Sequence, residues 1–244
     1  MANTRVAIVT GGSRGIGAAV AKRLASQDVT VAVNYLSSLE AATDTVDVIR
    51  EGGGTAVAIL ADVADPQQVA ALFDETESQF GGVDIVVAAA GIVRSVLMAQ
   101  ATEDDYTNQV EVNIRGTFNV LREAASRVRD GGRIVTFSST TLALNAPGYG
   151  IYNATKAAAE GFTRVLAKEL GGRAITVNSI APGPVETNLF MAGKSAADVS
   201  RLAGLSPQHR IGQPSDIANA VSLIVSSDAN WINGQVIRVN GGMA

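Results

Sequence analysis

The chain has no cysteine and a single histidine, His209. Disulfides, thiolate zinc sites and a cysteine nucleophile are therefore excluded. His209 has no partner motif and reads as a surface residue rather than a base. Aromatics make up only 5% of the 244 residues, and there are 6 prolines with no Gly-X-Y period. A collagen-like chain is excluded, and the core must rely on small and aliphatic side chains. A basic excess is also missing. Lys and Arg number 19 against 23 Asp and Glu, a net charge of −4, which argues against a general nucleic-acid binder. No apolar run spans a bilayer; stretches such as Val83–Ile92 are far too short. Met1–Arg5 leads into a strand-like run and then glycines, without the apolar region of a signal peptide. A protein without membrane segments, located in the cytoplasm, is expected. Apolar residues are plentiful at 47%, and glycines number 25. That excludes whole-chain disorder and supports one domain over residues 1–244.

Short β-branched runs alternate with segments of helical period. Strands are expected at Val6–Val9, Val29–Val33, Ala56–Leu60, Val83–Val87, Arg133–Phe137, Ile175–Ile180 and Val236–Val239. Helices are expected at Ala18–Ala25, Leu39–Arg50, Pro66–Phe80 and Tyr152–Leu170. Thr102 to about Val128 reads as one long helix or a broken pair. Continuous apolar strands alternating with helices imply βαβ units and a parallel sheet buried on both faces. Right-handed crossovers make it doubly wound. Asn188–Gly212 is irregular and reads as a mobile segment with a short helix near Ala196–Ala203. In such sheets ligands bind beyond the carboxyl ends of the strands.

After the first strand comes Thr10-Gly11-Gly12-Ser13-Arg14-Gly15-Ile16-Gly17. Glycines allow a sharp turn and let a pyrophosphate approach bare N–H groups at a helix N-terminus. The spacing is T-G-x-x-x-G-x-G rather than G-x-G-x-x-G. Further stretches follow the other strands: Asp62-Val63, Ala89-Ala90-Gly91, Ser139, and Pro182-Gly183. Asn113 lies in the long middle helix, and Tyr152-Asn153-Ala154-Thr155-Lys156 has the form Y-x-x-x-K. In this order the chain resembles the short-chain dehydrogenase/reductase family over essentially its whole length. It is most similar to the branch of β-ketoacyl carrier-protein reductases and related carbonyl reductases. The resemblance implies a seven-stranded, Rossmann-like α/β domain with helices on both faces, and a nicotinamide cofactor.

An NAD site usually carries an acidic residue at the end of the second strand. Here the sequence is Val33-Asn34-Tyr35-Leu36-Ser37-Ser38, with no carboxylate to repel a 2′-phosphate. Arg14 supplies a cation, and Ser37 and Ser38 can donate hydrogen bonds. In the family a basic residue at the Arg14 position goes with NADP, so NADP(H) is the expected cofactor. The resemblance adds Val185 and Thr187, after the sixth strand, to the cofactor contacts. It places Asp62 beside the adenine, while capping of the next segment is its ordinary role.

Tyr152 and Lys156 share one face of a helix, one turn apart. A close ammonium favours the phenolate and pulls the tyrosine pKa down, so Tyr152 can give a proton to a carbonyl oxygen or take one from an alcohol. The resemblance gives Lys156 the nicotinamide ribose hydroxyls and makes Ser139, thirteen residues before Tyr152, the substrate-oxygen binder. Adjacent Ser138 competes for that role. Asn113 is either a tolerated poor helix former or, by resemblance, a helix distortion holding a water connected to Lys156. The reaction needs no metal, since the cofactor carries the hard chemistry.

Three features qualify the resemblance. The usual Asn-Asn-Ala-Gly is Ala88-Ala89-Ala90-Gly91 here, so neighbouring backbone groups must find other partners. Of two arginines that dock acyl carrier protein in relatives, one corresponds to Arg173 and the other to Asp130, with Arg127 and Arg129 nearby; a reversed charge weakens docking. A free carbonyl compound is therefore the expected substrate, with carrier protein as a lesser partner. Third, Leu189, Phe190, Met191, Leu202 and Leu205 either close over a partly apolar substrate or serve as core or subunit contacts. Trp231 reads as a packing residue, in the core or in an interface. A homotetramer through the two long helices and the last strand is implied by the resemblance. Alternative activities are oxidation of a secondary alcohol, sugar or hydroxysteroid, and an NADP sensor without turnover.

Overall fold

Val6–Thr10 forms β1, buried along its whole length. Its side chains alternate between two helix layers: Ala7 and Val9 enter one apolar cluster, Ile8 the other. The computed structural model describes residues 4–244. The expectation drawn from Met1–Arg5 therefore lies largely on residues outside the described ones.

The chain continues through α1 (Gly15–Ala25), β2 (Thr30–Tyr35), α2 (Leu39–Glu51), β3 (Ala56–Leu60), α3 (Pro66–Phe80) and β4 (Val83–Ala88). Next come α4 (Glu103–Val110), a π-helical turn at Glu111–Gly116, α5 (Thr117–Arg127), β5 (Val128–Phe137), α6 (Thr141–Leu144) and α7 (Gly150–Glu169). The last part holds β6 (Thr176–Pro182), α8 (Asn188–Met191), α9 (Ala196–Ala203), α10 (Pro214–Ile224) and β7 (Val236–Val239). The seven strands form one sheet in the order β3-β2-β1-β4-β5-β6-β7, and every pairing is parallel. The order reverses at β1, so the carboxyl ends of β1 and β4 flank the crevice where such sheets bind ligands.

The helices cover both faces. Val20 and Leu24 of α1, Val46 and Ile49 of α2, and Ile217 and Val221 of α10 pack on one side. Val69, Leu72 and Phe73 of α3, Val120 and Leu121 of α5, and Leu166 of α7 pack on the other. The doubly wound sheet expected from the sequence is present.

Four expectations are corrected. α1 begins at Gly15 rather than Ala18, so the glycine turn supplies the first helical turn itself. β5 begins at Val128 rather than Arg133: Val83 pairs with Val128 and Ile85 with Arg133 across a register shift. That bulge takes up the polar Arg129–Gly132 stretch, with Gly131 at φ +77°. α10 is an element without a counterpart among the expected helices, although Pro214 at its first turn and apolar residues at Ile217, Ala218, Val221 and Ile224 carry the signal. Finally, of the two packing places read for Trp231 the core is excluded, because 99% of its surface in this chain is exposed.

The segment at 188–212 is a loop closed at its base. Glu186 N–H donates to Gly212 C=O and Gly212 N–H to Pro184 C=O, both at 2.8 Å. The helix expected at Ala196–Ala203 is there, started by a Ser195–Asp198 capping box. No helix among the described residues is long and apolar enough to cross a membrane.

Candidate active site

The glycine turn owes its shape to crowding. A side chain at Gly17 would meet Gly11 C=O at 2.2 Å, and one at Gly11 (φ +63°) would meet the Ala90 backbone at 2.9 Å. Gly15 sits at φ +56° beside Thr187, whose methyl lies 3.3 Å from where a Cβ would be. The turn is thus pressed between β1, the end of β4 and the segment after β6. Ser13 is buried, and Ile16 packs against the core. The N-terminus of α1 carries no acidic residue in its first turn, which suits an incoming phosphate.

Asn34, among the cofactor contacts that the resemblance implies, lies in β2 beside the glycine turn. It is 2% exposed, and its side chain is used within the protein. Oδ1 accepts from Gly11 N–H at 3.3 Å, and Nδ2 donates to Ala61 C=O at 3.0 Å. Asn34 therefore ties the glycine turn to the end of β3 and is a scaffold residue. Thr10 Oγ1 accepts from Ala90 N–H at 3.2 Å. Thr10 thus supplies a partner within the Ala88-Ala89-Ala90-Gly91 stretch, where the family's asparagines are missing.

Beyond β2, the exposed Arg14 guanidinium donates to Ser37 Oγ at 3.2 Å. Ser38 caps α2 by accepting from Ala41 N–H at 3.2 Å, so its hydroxyl hydrogen alone is left to offer. Tyr35 ends β2, half-buried. The Asp62 carboxylate accepts from Ala64 N–H at 2.9 Å, which is the turn-forming role. Val63 is buried in the core, with its C=O bonded by Asn119 at 2.9 Å, so that only its backbone is available to a ligand. Pro182 and Gly183 are tied to neighbouring elements: Thr140 N–H donates to Pro182 C=O and Gly183 N–H to Val239 C=O. Val185 is a core residue, and Thr187 Oγ1 caps α8 at 3.1 Å. The donor set left open is the glycine turn with Arg14 and Ser37. It fits a dinucleotide bearing a further phosphate, with the backbone of Ala89, Ala90 and Gly91 alongside.

The catalytic candidates converge between β4, β5 and α7. Asn113 is 2% exposed and sits in the π-helical turn. Its Oδ1 accepts from Ile92 N–H at 2.9 Å, and its Nδ2 donates to Ile92 C=O at 2.8 Å and Thr155 Oγ1 at 3.1 Å. The helix distortion implied for Asn113 is therefore present, and the amide anchors the chain after β4. Lys156 is 8% exposed; its Nζ donates to Phe137 C=O at 3.0 Å and lies 5.6 Å from the Tyr152 ring centre. Gly91 is close to both, since a Cβ there would be 3.2 Å from Asn113 Oδ1 and 3.5 Å from Lys156 Nζ. Ser138 turns away and donates to Glu160 at 2.6 Å, which leaves Ser139 as the serine of the site.

The charges differ from expectation. Burial pushes Tyr152 up to about 12, partly offset by its hydrogen bond with Ser139. Burial likewise pulls Lys156 down to about 8. The expected depression of Tyr152 by the ammonium is overturned in the protein alone, because desolvation of the phenolate outweighs a cation 5.6 Å from the ring.

Two side chains join the site without a sequence signal that singles them out: Thr141, two residues after Ser139, and Asn153, beside Tyr152. Thr141 Oγ1 lies 2.9 Å from Ser139 Oγ and 2.7 Å from Asn153 Oδ1. Asn153 sits within the Y-x-x-x-K stretch, but no spacing rule marks Thr141. Outside the cleft, Arg173 pairs with Asp130 at 2.8 Å and Arg129 with Asp84 at 3.3 Å. Arg127 holds Asp74 and Glu77, both at 2.6 Å. His209 is exposed.

The family model described as enoyl-(acyl carrier protein) reductase matches residues 11–244. A versicolorin reductase of Emericella nidulans is 42% identical over 250 residues, covering 98% of this chain and 95% of the relative. A 3-oxoacyl-[acyl-carrier-protein] reductase of Staphylococcus aureus is 40% identical, covering 100% and 99%. The crystal structure of a short-chain dehydrogenase from Burkholderia cenocepacia in complex with NADP has a TM-score of 0.93 at 38% identity, covering 99% of this chain and 98% of that one. With its glycine turn, buried lysine and tyrosine at the strand ends, the chain belongs to the short-chain dehydrogenase/reductase family of oxidoreductases.

Proposed function

We propose that the chain is an NADPH-dependent carbonyl reductase that turns a ketone or β-ketoacyl carbonyl into a secondary alcohol. When bound, the nicotinamide supplies the hydride. Tyr152 holds the proton that the alkoxide oxygen needs. Ser139 orients the substrate oxygen against the phenol, and Lys156, fixed by Phe137 C=O, sets the positive field beside it. Asn113 holds the wall of the cleft through Ile92. Val63, Pro182 and Gly183 contribute backbone, and the 188–212 segment closes over the substrate as a lid. The observation that carries the reading is the convergence of Ser139, Tyr152 and the buried Lys156 at the strand ends. A phenol pushed up to about 12 is protonated at neutral pH, and the protonated form is the one that donates in reduction.

The preference for NADPH rests on Arg14. Its guanidinium meets Ser37 with no carboxylate nearby in Asn34–Ser38, a donor pair suited to a 2′-phosphate. Arg14→Ala is expected to weaken NADPH binding by about 30-fold, the scale of one charge-assisted contact, and NADH binding by less than about threefold. Titration of both cofactors by fluorescence measures this, and equal losses overturn the assignment. The activity itself is tested by NADPH oxidation at 340 nm against β-ketoesters, β-ketoacyl thioesters, diketones and quinones. Alcohol oxidation with NADP and no carbonyl turnover would overturn the direction.

We further assign the substrate as a free carbonyl compound and the location as cytoplasmic. Arg127, Arg129 and Arg173 are engaged within the chain, which leaves little charge for an acidic carrier. The homotetramer belongs to the same proposal. Phe118 and Val165 expose apolar surface on α5 and α7, as do Leu223, Trp231 and Ile232 near β7, and such patches mark interfaces. Trp231→Glu is expected to convert the tetramer to smaller species in sedimentation velocity. A wild type that sediments as a monomer refutes the assembly.

A further inference from the structure

Ser139 is bound to a second hydroxyl, and the proton directions along that contact follow from the chemistry. Asn153 Nδ2 donates to Thr141 C=O at 3.1 Å. This orients the amide so that Oδ1 faces Thr141 Oγ1 at 2.7 Å. An amide oxygen only accepts, so the Thr141 hydroxyl hydrogen lies between two acceptors, Asn153 Oδ1 and Ser139 Oγ, the latter at 2.9 Å. Thr141 N–H also donates to Ser139 Oγ, at 3.2 Å. The serine oxygen is thereby held through its lone pairs, and its own hydrogen is left for the hydrogen bond with Tyr152, which opposes the upward push of burial on the phenol.

The same clamp spans two elements. Thr141 opens α6, two residues after Ser139 in the turn that follows β5, and Asn153 lies on α7 beside Tyr152. The two bonds between Thr141 and Asn153 therefore set the spacing of the serine against the tyrosine. The roles implied for Asn113, Ser139, Tyr152 and Lys156 use neither residue.

We propose that Thr141, held by Asn153, is a positioning residue that fixes the Ser139 oxygen beside Tyr152 and so aims the serine hydrogen at the place a substrate oxygen takes. This rests on the carbonyl-reductase reading above. Thr141 acts through Ser139 and does not itself touch the reacting atoms. Its hydroxyl is what matters, because Ser139 and Asn153 each lose a donor when that hydroxyl is removed.

The test is a double-mutant cycle on whichever carbonyl the wild type reduces best, with NADPH affinity and melting temperature measured for each protein. Thr141→Val, which keeps the side-chain shape, is expected to lower kcat about tenfold, the scale of one lost orienting hydrogen bond. The KM for NADPH stays unchanged. Thr141→Ser restores kcat to within about twofold, and Asn153→Ala, which leaves the Ser139 loop intact, gives an intermediate loss. In the Ser139→Ala background, Thr141→Val costs less than about twofold, since the group it positions is gone. A Thr141→Val enzyme with wild-type kcat overturns the proposal. So does a full tenfold loss in the Ser139→Ala background, which would place Thr141 in another role. A wild type that binds NADPH but turns over neither carbonyls nor alcohols overturns the reductase reading itself, and the positioning role with it.

Discussion

Tyr152→Phe is expected to lower carbonyl turnover by about 10³-fold, within the range of a lost general acid, while NADPH affinity and melting temperature stay near wild type. The reasoning is local. The ring is held by its edge-on neighbour Tyr149, 6.3 Å away between centres, and phenylalanine keeps that contact. Lys156 donates its hydrogen bond to Phe137 C=O rather than to the phenol, so the buried ammonium stays anchored. What is removed is the hydroxyl alone. Ser139 can still bind a substrate oxygen but has no proton to spare for an alkoxide without becoming one. Because burial keeps Tyr152 protonated well above neutrality, the wild type enters reduction with its acid loaded. Oxidation of an alcohol must first remove that proton and gains as pH rises. Measuring kcat in both directions for wild type and variant tests the role. A Tyr152→Phe enzyme that keeps a tenth or more of its reductive activity shows that the proton comes from elsewhere.

Part of this is legible in the sequence, and the rest is hidden for physical reasons. Apolar runs and helical periods are local, so β3, α3, α9 and β7 fall where the pattern places them. Tyr152 and Lys156 are legible because four residues make one helical turn. The scaffold role of Asn34 is hidden in the sequence because its partners, Gly11 and Ala61, meet it only once β2 has paired with β1 and β3. Its polarity suggests a ligand, whereas its burial gives it backbone groups to satisfy. Sequence shows only the charge nearest Tyr152, and burial, which no spacing reveals, decides its pKa. Thr141 is hidden for the same reason as Asn34: its meaning lies in a contact with a residue twelve positions away.

Gly17→Ala and Gly161→Ala make the same chemical change on two helices and are expected to move stability in opposite directions. At Gly17 the new Cβ would sit 2.2 Å from the Gly11 carbonyl oxygen and 2.9 Å from its carbon. Those are backbone atoms of a turn already fixed by Asn34, so no side chain can swing aside. The first turn of α1 must lift from the glycine turn, at a cost of about 3 kcal/mol, the upper range for overpacking. The displaced N–H groups are those that face the cofactor, so NADPH binding falls by more than about 100-fold as well. At Gly161, inside α7, nothing lies within 4 Å of the added Cβ. Alanine there relieves the conformational entropy of a helical glycine and stabilises by roughly 0.5–1 kcal/mol. Denaturant unfolding of both variants, with NADPH titration of each, separates the cases. If Gly17→Ala binds NADPH as wild type does, the crowding of the turn is not what shapes the cofactor site. If it is Gly161→Ala that loses stability, a partner copy covers this face of α7, as the proposed assembly would.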